Sequence, residues 1–273
     1  MNHLQITIVV TDPGQQEILI ALLIGLDYEG FEQQPDALLA FLPEAGFDAA
    51  GLESILQPMD LAYTTTLLPE KNWNEEWEAN FAPVQVGDFC AVRAHFHAPV
   101  TGVAHELIIT PKMSFGTGHH ATTYMMLQSM ERLDLEGRMV LDFGTGTGVL
   151  AILAERLGAA GVLAIDIDDW SIENARENIT ENHCIKIITR KIDNIPENQR
   201  FDIILANINK HVLLREMAKM AQQLNSGGVI LMSGLWQDDC EDIENQAAKN
   251  NLSVSDRVTR GSWCCLKLEK SPN

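Results

Sequence analysis

The chain has 273 residues and a net charge of −19; 46% of the residues are hydrophobic and 21% are charged. The hydrophobic share excludes a largely disordered chain, and the length indicates two domains. The acidic balance and the absence of a basic run exclude nucleic-acid binding through neutralised phosphates. Such charge can serve solubility, or it can attract a cationic partner.

The first residues, MNHLQITIVVTDPGQQ, lack the basic and long apolar segments of a secretion signal. No run reaches the roughly 18 apolar residues of a membrane helix, so we expect a cytoplasmic protein with no membrane partner. Five cysteines without a CxxC pair predict buried thiols rather than disulfides or a zinc ribbon. The pairs His95/His97 and His119/His120 lack a third ligand at metal spacing, so we predict no metal site.

The first 68 residues predict a small α+β domain. Strands are expected at 4–10, in a short stretch ending near Glu32, at 37–42 and at 61–68, with helices at 15–26 and 48–57. The resulting order, β-α-β-β-α-β, is typical of the ferredoxin-like fold. Because this domain carries no cofactor motif, we expect it to recognise the substrate. Residues 69–80, with Trp73 and Trp77 on one helical face, are expected to form a connector helix, although ordinary packing onto one domain explains that spacing equally well.

Residues 81–273 predict a second domain. After a strand-like stretch from 81 to 111, strands at 139–143, 162–166, 185–190, 201–206 and 228–234 alternate with helices at 147–157, 170–181, 211–224 and 237–249. Two further strands follow at 252–259 and 263–269 without a helix between them. This pattern predicts a doubly wound, Rossmann-like α/β sheet that is mostly parallel and ends in an antiparallel hairpin.

The strongest local motif is VLDFGTGTGVL at 140–150, where a buried strand runs through a glycine turn into a helix. Asp142, Gly144 and Gly146 are therefore predicted to bind a ligand, since glycines allow a sharp turn and close approach. Asp166 ends the next strand about 20 residues later, where a carboxylate accepts hydrogen bonds from ribose hydroxyls. Together these features predict an adenosine-containing ligand at the carboxyl edge of the sheet.

Two further segments contribute to the same edge. Asn207 closes the strand in FDIILANIN, so its amide is predicted to face the cofactor or the acceptor; capping of the following helix is the alternative. The segment MSFGTGHHATTYMML at 113–127 places a glycine-rich turn before a helix whose first turn contains Thr122 and Thr123. Free amides at a helix start suit an anionic group, although an ordinary turn with a threonine cap explains the segment as well.

The glycine turn alone also fits the dinucleotide fingerprint of a nicotinamide-dependent oxidoreductase. Against that alternative stand the acidic Asp142 before the glycines, the mid-chain position of the motif and the lack of a second substrate domain downstream. A noncatalytic binding protein on a methyltransferase fold is a third possibility.

Five segments together resemble the bacterial ribosomal protein L11 methyltransferases: FGTGHHATT at 115–123, LDFGTGTGVLAI at 141–152, AIDIDDWSIENARENI at 164–179, LANI at 205–208 and the final Trp263-Cys264. The connector NWNEEWEANF at 72–81 is similar as well. The resemblance spans nearly the whole chain and is weakest over residues 1–60.

The resemblance implies a methyltransferase that uses S-adenosylmethionine and modifies lysine or N-terminal amines of ribosomal protein L11. It places Thr123, Gly144, Asp166 and Asn207 on the cofactor, and we assign Asn207 to orienting the amine or the cofactor. The chain departs from the family pattern at GHHATT, at Thr145 and Thr147, and at INKHVL after Asn207. Lys210 and His211 are therefore expected to affect the acceptor pocket.

Overall fold

The computed structural model describes residues 2–68, 82–110, 112 and 114–271. The chain divides into two compact units, Met1–Asn80 and Phe81–Asn273, which we call unit 1 and unit 2. The predicted connector helix over 69–80, with Trp73 and Trp77, lies outside the described residues.

Unit 1 has the predicted order of elements: β1 (His3–Val9), α1 (Pro13–Ile24), β2 (Gly30–Gln33), β3 (Ala37–Pro43), α2 (Ala49–Leu56) and β4 (Tyr63–Leu68). Its strands form an antiparallel sheet in the order β2-β3-β1-β4, which is the split βαβ topology.

Local sequence explains the first helix of unit 1. The Asp12 carboxylate accepts hydrogen bonds from the Gly14 and Gln15 amides at 3.4 and 3.2 Å, and Pro13 occupies the first helical position. Alternate residues of β1 are buried, including Ile6 and Ile8, and they join Leu19 and Leu23 of α1 in one core.

Unit 2 begins with three short strands in a sheet of their own, β5 (Val84–Val86), β6 (Cys90–Arg93) and β7 (His105–Ile108). The helices that follow are α3 (Ala121–Met130), α4 (Val149–Arg156), α5 (Asp169–Glu181), α6 (Lys210–Gln223) and α7 (Cys240–Ala248). The remaining strands are β8 (Met139–Phe143), β9 (Gly161–Asp166), β10 (Ile187–Lys191), β11 (Phe201–Asn207), β12 (Leu224–Trp236), β13 (Leu252–Arg260) and β14 (Trp263–Lys270).

The large sheet has the order β10-β9-β8-β11-β12-β14-β13. Strands β8 to β12 are parallel, whereas β14 is antiparallel to both of its neighbours. The predicted doubly wound sheet and C-terminal hairpin are therefore confirmed. The last strand, β14, lies inside the sheet, and β13 takes the edge.

Strand alternation divides the core of unit 2 into two layers. On β11, Ile203 and Leu205 pack with α3, α4 and α5, whereas Ile204 and Ala206 pack with α6 and α7. Because side chains alternate between faces, Asn207 is directed to the same face as Ile203 and Leu205. Asn207 thereby comes within reach of α3.

Candidate functional site

A cavity of about 530 Å³ opens at the carboxyl edge of the parallel strands, the edge at which ligands bind in open α/β sheets. Its volume lies in the usual range for a small-molecule site. We call it the cofactor cavity. It is lined by Phe115, Phe143, Gly144, Gly146, Asp166, Ile167, Ser171, Ile192, Asp193, Asn207, Ile208, Asn209, Val212 and Arg215.

The glycine turn between β8 and α4 forms one wall of this cavity. The φ angles of Gly144 and Gly146 are 76° and 53°, a region that favours glycine. A Cβ atom on Gly144 would overlap the side chain of Ile208, and one on Gly146 would overlap the carbonyl oxygen of Phe115. The protein's own packing therefore requires both glycines, in addition to any ligand.

Asp166 lies at the end of β9 and lines the cofactor cavity. Its Oδ2 accepts a hydrogen bond from the Gly146 amide at 2.9 Å, and its Oδ1 accepts one from the Asp168 amide at 3.2 Å. Each carboxylate oxygen has further acceptor capacity, so this position fits ribose hydroxyls. Asp166 also holds the glycine turn, a second role that the sequence did not reveal.

Asp142 occupies a different place from the one predicted. It is fully buried, does not line the cofactor cavity, and its Oδ2 accepts a hydrogen bond from the Thr145 hydroxyl at 2.6 Å. Burial raises the pKa of Asp142 to about 7, an effect that the hydrogen bond from Thr145 partly opposes. We therefore assign Asp142 to supporting the glycine turn from within the sheet rather than to touching the ligand.

Asn207 and Thr123 meet at the end of β11. The Asn207 Nδ2 donates to the Thr123 hydroxyl at 3.2 Å, and Thr123 itself is fully buried and lines neither cavity described here. The Oδ1 of Asn207 is buried and has no hydrogen-bond partner within the described part of the chain. Asn209 caps α6 by accepting the Val212 amide at 3.1 Å, so the capping alternative for Asn207 is wrong.

A second cavity of about 270 Å³ adjoins the first, and we call it the acceptor cavity. Both cavities share Phe115, Asn207, Ile208 and Asn209. The acceptor cavity is lined besides these by His120, Thr122, Gly234 and Trp263. His120 packs edge-on against Phe115 and Trp263, with ring centroids 5.2 and 4.7 Å apart. His120 also caps α3 through its Nδ1, so the predicted threonine cap is replaced by a histidine.

Several cavity residues were missed by the sequence reasoning. Ile167 and Asp193 follow the ends of β9 and β10, and Ser171 and Arg215 project from α5 and α6. The position of Asp193 just beyond a parallel strand was an available signal, since such ends meet at one edge. In contrast, nothing local marks Arg215.

Lys210 and His211, expected to affect the acceptor pocket, line neither cavity. The Lys210 ammonium instead lies 2.8 Å from Asp239 Oδ1 and 2.6 Å from Asp242 Oδ2. Any influence of Lys210 on the acceptor cavity therefore acts through other residues.

Part of the chain shares its fold with solved methyltransferases. A methyltransferase from Pyrococcus furiosus superposes with a TM-score of 0.51 at 21% identity, covering 60% of this chain and 89% of that one. The sheet order, the glycine turn and the acidic strand end together define the class of methyltransferases that use S-adenosylmethionine. The unpartnered Asn207 Oδ1 and the size of the cavity fit that cofactor.

The particular family follows from closer relatives. A family model described as "Ribosomal protein L11 methyltransferase (PrmA)" matches residues 34–271. A ribosomal protein L11 methyltransferase of Porphyromonas gingivalis is 40% identical over 260 residues, covering 92% of this chain and 90% of that protein. One from Chlorobaculum tepidum is 38% identical over 251 residues, covering 87% and 86%. The chain belongs to the ribosomal protein L11 methyltransferase family.

A crystal structure agrees with this assignment. The ribosomal protein L11 methylase of Lactobacillus delbrueckii subsp. bulgaricus superposes with a TM-score of 0.65 at 29% identity, covering 70% of this chain and all of that one. The nicotinamide oxidoreductase alternative is therefore wrong, and the resemblance noted in the sequence is confirmed.

Among the residues that the structure describes, no helix has both the length and the apolar character that crossing a bilayer requires. Nor do His, Cys, Asp and Glu side chains within the described ranges gather in groups of three or more that could hold a metal ion.

Proposed function

We propose that this protein transfers methyl groups to amines of ribosomal protein L11, on lysine side chains, the N-terminus or both. The observation that carries the proposal is the position of Asn207, which lines the cofactor cavity and the acceptor cavity at once and has an unpartnered buried Oδ1. A single amide thus faces both a methyl donor and an incoming nucleophile. With ribosomal protein L11 as the substrate, the reaction would take place in the cytoplasm.

In this proposal, the residues around the cofactor have different roles that depend on their positions. Gly144 and Gly146 allow close approach along the turn, and Asp166 accepts hydrogen bonds from ribose hydroxyls. Thr123 holds the Asn207 amide in one orientation from behind, through the 3.2 Å hydrogen bond. When bound, S-adenosylmethionine supplies a methyl group on a sulfonium centre that is open to attack by a neutral amine.

The acceptor amine must arrive without its extra proton. A lysine has a reference pKa near 10.4, so transfer into an apolar cavity is needed to favour the neutral form. The acceptor cavity presents aromatic and aliphatic groups, chiefly Phe115, Ile208 and Trp263, which meet that need. The Asn207 Oδ1 can then accept a hydrogen bond from the amine N–H and align its lone pair, so that positioning supplies much of the rate.

We assign recognition of the intact protein substrate to unit 1. Its α1 leaves Ile18, Leu22 and Ile24 exposed at 52%, 43% and 57%, an apolar surface that a solvated helix does not require. Contact at such a second surface would raise the local concentration of the acceptor amine at the catalytic unit.

The test is transfer of radiolabelled methyl groups from S-adenosylmethionine to unmethylated ribosomal protein L11, followed by mass mapping of the products. We expect labelled lysine or N-terminal amines. If S-adenosylmethionine binds but no protein of a ribosomal extract becomes labelled, the chain is a noncatalytic binding protein. Label confined to another protein would keep the reaction and reject the substrate.

A further inference from the structure

The indole rings of Trp236 and Trp263 stack across the pair of strands that they share. Trp236 ends β12 and Trp263 begins β14, where the two residues are partners in the antiparallel register. Their ring centroids lie 4.0 Å apart with an interplanar angle of 20°. Trp263 also lines the acceptor cavity and packs against His120, so the position of its ring shapes that cavity.

The backbone that carries Trp236 is held by one carboxylate. Asp239 Oδ2 accepts a hydrogen bond from the Trp236 amide at 3.0 Å. Asp239 Oδ1 accepts another from the Lys210 ammonium at 2.8 Å, and the side chains of both residues are mostly buried. Asp239 therefore joins Lys210 to the stacked indoles.

Lys210 connects Asp239 and the stacked indoles to the part of the acceptor cavity wall that Ile208 and Asn209 form. It is the first residue of α6 and follows directly on Ile208 and Asn209, which line both cavities. A cation at a helix N-terminus opposes the helix dipole, so the position needs a compensating charge. Asp239 and Asp242 supply it, and these hydrogen bonds raise the pKa of Lys210 while the bond from Lys210 lowers the pKa of Asp239.

We propose that the Lys210–Asp239 ion pair is a positioning element for methyl transfer. It fixes the distance between the segment Ile208–Asn209, which follows Asn207 at the end of β11, and the stacked indoles of Trp236 and Trp263. The pair touches neither cofactor nor acceptor, and it acts by holding Trp263 where the incoming amine must pass. This inference rests on the proposed function, because it assigns the acceptor cavity to the amine.

The experiment replaces Lys210 with methionine, which keeps the aliphatic stem and removes the charge. Lys210→Met is expected to bind S-adenosylmethionine with unchanged affinity and to lower kcat/KM for ribosomal protein L11 by about 10-fold to 100-fold, as misplacement near a reacting centre does. Lys210→Arg should restore part of the rate. The matched control is Lys112→Met, which breaks an exposed ion pair with Glu177 and should leave the rate unchanged.

A spectroscopic readout is independent of activity. The stacked indoles of Trp236 and Trp263 should give an exciton couplet in circular dichroism that disappears in Trp236→Phe. Lys210→Met should reduce that couplet by at least half, and Lys112→Met should not. If Lys210→Met fails to fold, Asp239→Asn is measured instead, since it removes the ion pair and can keep the hydrogen bond to Trp236.

The outcomes separate the two proposals. Loss of the couplet together with a lower rate supports the positioning role. An unchanged couplet, or a lost couplet with an unchanged rate, overturns it. If the wild-type protein does not methylate ribosomal protein L11, the proposed function fails, and the couplet alone then decides whether Lys210 positions the indoles.

Discussion

The two units differ most in the polar groups that they bury. In the described part of unit 1, the buried polar groups are the Tyr28 hydroxyl and the side chain of Gln16, whose amide donates to the Val10 and Gln34 carbonyls at 2.9 Å each. Unit 2 buries many more, among them Thr123 and Asp142 at the carboxyl edge of its sheet. Burying polar groups costs free energy unless hydrogen bonds compensate. In unit 2, polar side chains are buried beside the cavities, where a reaction requires polar atoms in fixed orientations.

Both units leave apolar side chains exposed, Ile18 and Leu22 on α1 of unit 1 and Trp170 and Ile185 among others in unit 2. Our proposal assigns contact with the substrate to unit 1 and the reaction to unit 2. Five changes can break or sharpen the comparison, and they are described from the largest expected effect to the smallest.

The largest effect is expected from removing unit 1. A chain beginning at Glu70 should bind S-adenosylmethionine nearly as well as the full chain, because every residue that lines the cofactor cavity belongs to unit 2. Its methylation of intact ribosomal protein L11 should fall by about 100-fold or more, since the second contact surface is lost. Calorimetric titration and radiolabel transfer measure the two quantities.

A finer change distinguishes surface contact from a general role of unit 1. The double variant Ile18→Ser, Leu22→Ser should slow methylation of the intact protein and leave cofactor affinity unchanged. Ile185→Ser, at a position 89% exposed in unit 2, is the matched control and should have no effect. Full activity of the chain beginning at Glu70 would end the recognition role of unit 1.

Next in size is Asn207→Ala, which should lower kcat by about 100-fold while weakening S-adenosylmethionine binding much less. The reason is that an orienting amide acts mainly in the transition state. Thr123→Val, which removes only the hydroxyl behind Asn207, should give a smaller fall in kcat. Equal losses in turnover and in cofactor affinity for Asn207→Ala would reduce Asn207 to a binding residue.

Asp166→Ala should weaken S-adenosylmethionine binding by about 1.5–3 kcal/mol, the usual range for a hydrogen bond to a charged group. Part of that loss will come from the glycine turn, because Asp166 also accepts the Gly146 amide. The neighbouring Asp168→Ala serves as control, since Asp168 does not line the cavity. Unchanged affinity in Asp166→Ala would remove the ribose role.

The smallest effect concerns Asp142 and pH. Its folded-state pKa of about 7 lies above the unfolded value, so the folded protein binds the extra proton. The contribution of Asp142 to stability is therefore greatest at low pH and falls as the pH rises toward the folded pKa, by about 1 kcal/mol between pH 6 and pH 7. The Asp142→Asn variant should not show this decrease in stability between pH 6 and pH 7. Denaturant unfolding at these two pH values measures the difference. Identical pH dependence in the two proteins would contradict the raised pKa.

The sequence predicted the fold well where the signal was local. The strand at 139–143 was located to the residue, because a short buried apolar run followed by a glycine turn permits few other structures. The order of strands in the sheet was less accessible. Two consecutive strands at the C-terminus predicted a hairpin, but which of the two pairs with β12 depends on contacts with a distant part of the chain.

Some residues of the candidate site could likewise be predicted from local sequence, whereas others could not. Gly144, Gly146, Asp166 and Asn207 could be named from motifs, and all four line the cofactor cavity. Asp142 could not be placed correctly, because whether a strand residue faces the ligand or the interior depends on the turn that follows it. The helix start after β11 was also ambiguous, since Asn207 and Asn209 both suit a cap and only the observed start of α6 selects Asn209.

By itself, the sequence determined the class of fold, the glycine turn and the family motifs, because these depend on neighbouring residues and on hydrophobic period. Tertiary structure alone decided the acceptor cavity and the ion pair beside it. Trp263 lies far along the chain from Phe115 and His120, and Lys210 is separated from Asp239 by α6 and β12. Such contacts form only after long-range strand pairing has closed the intervening chain, so no local pattern records them.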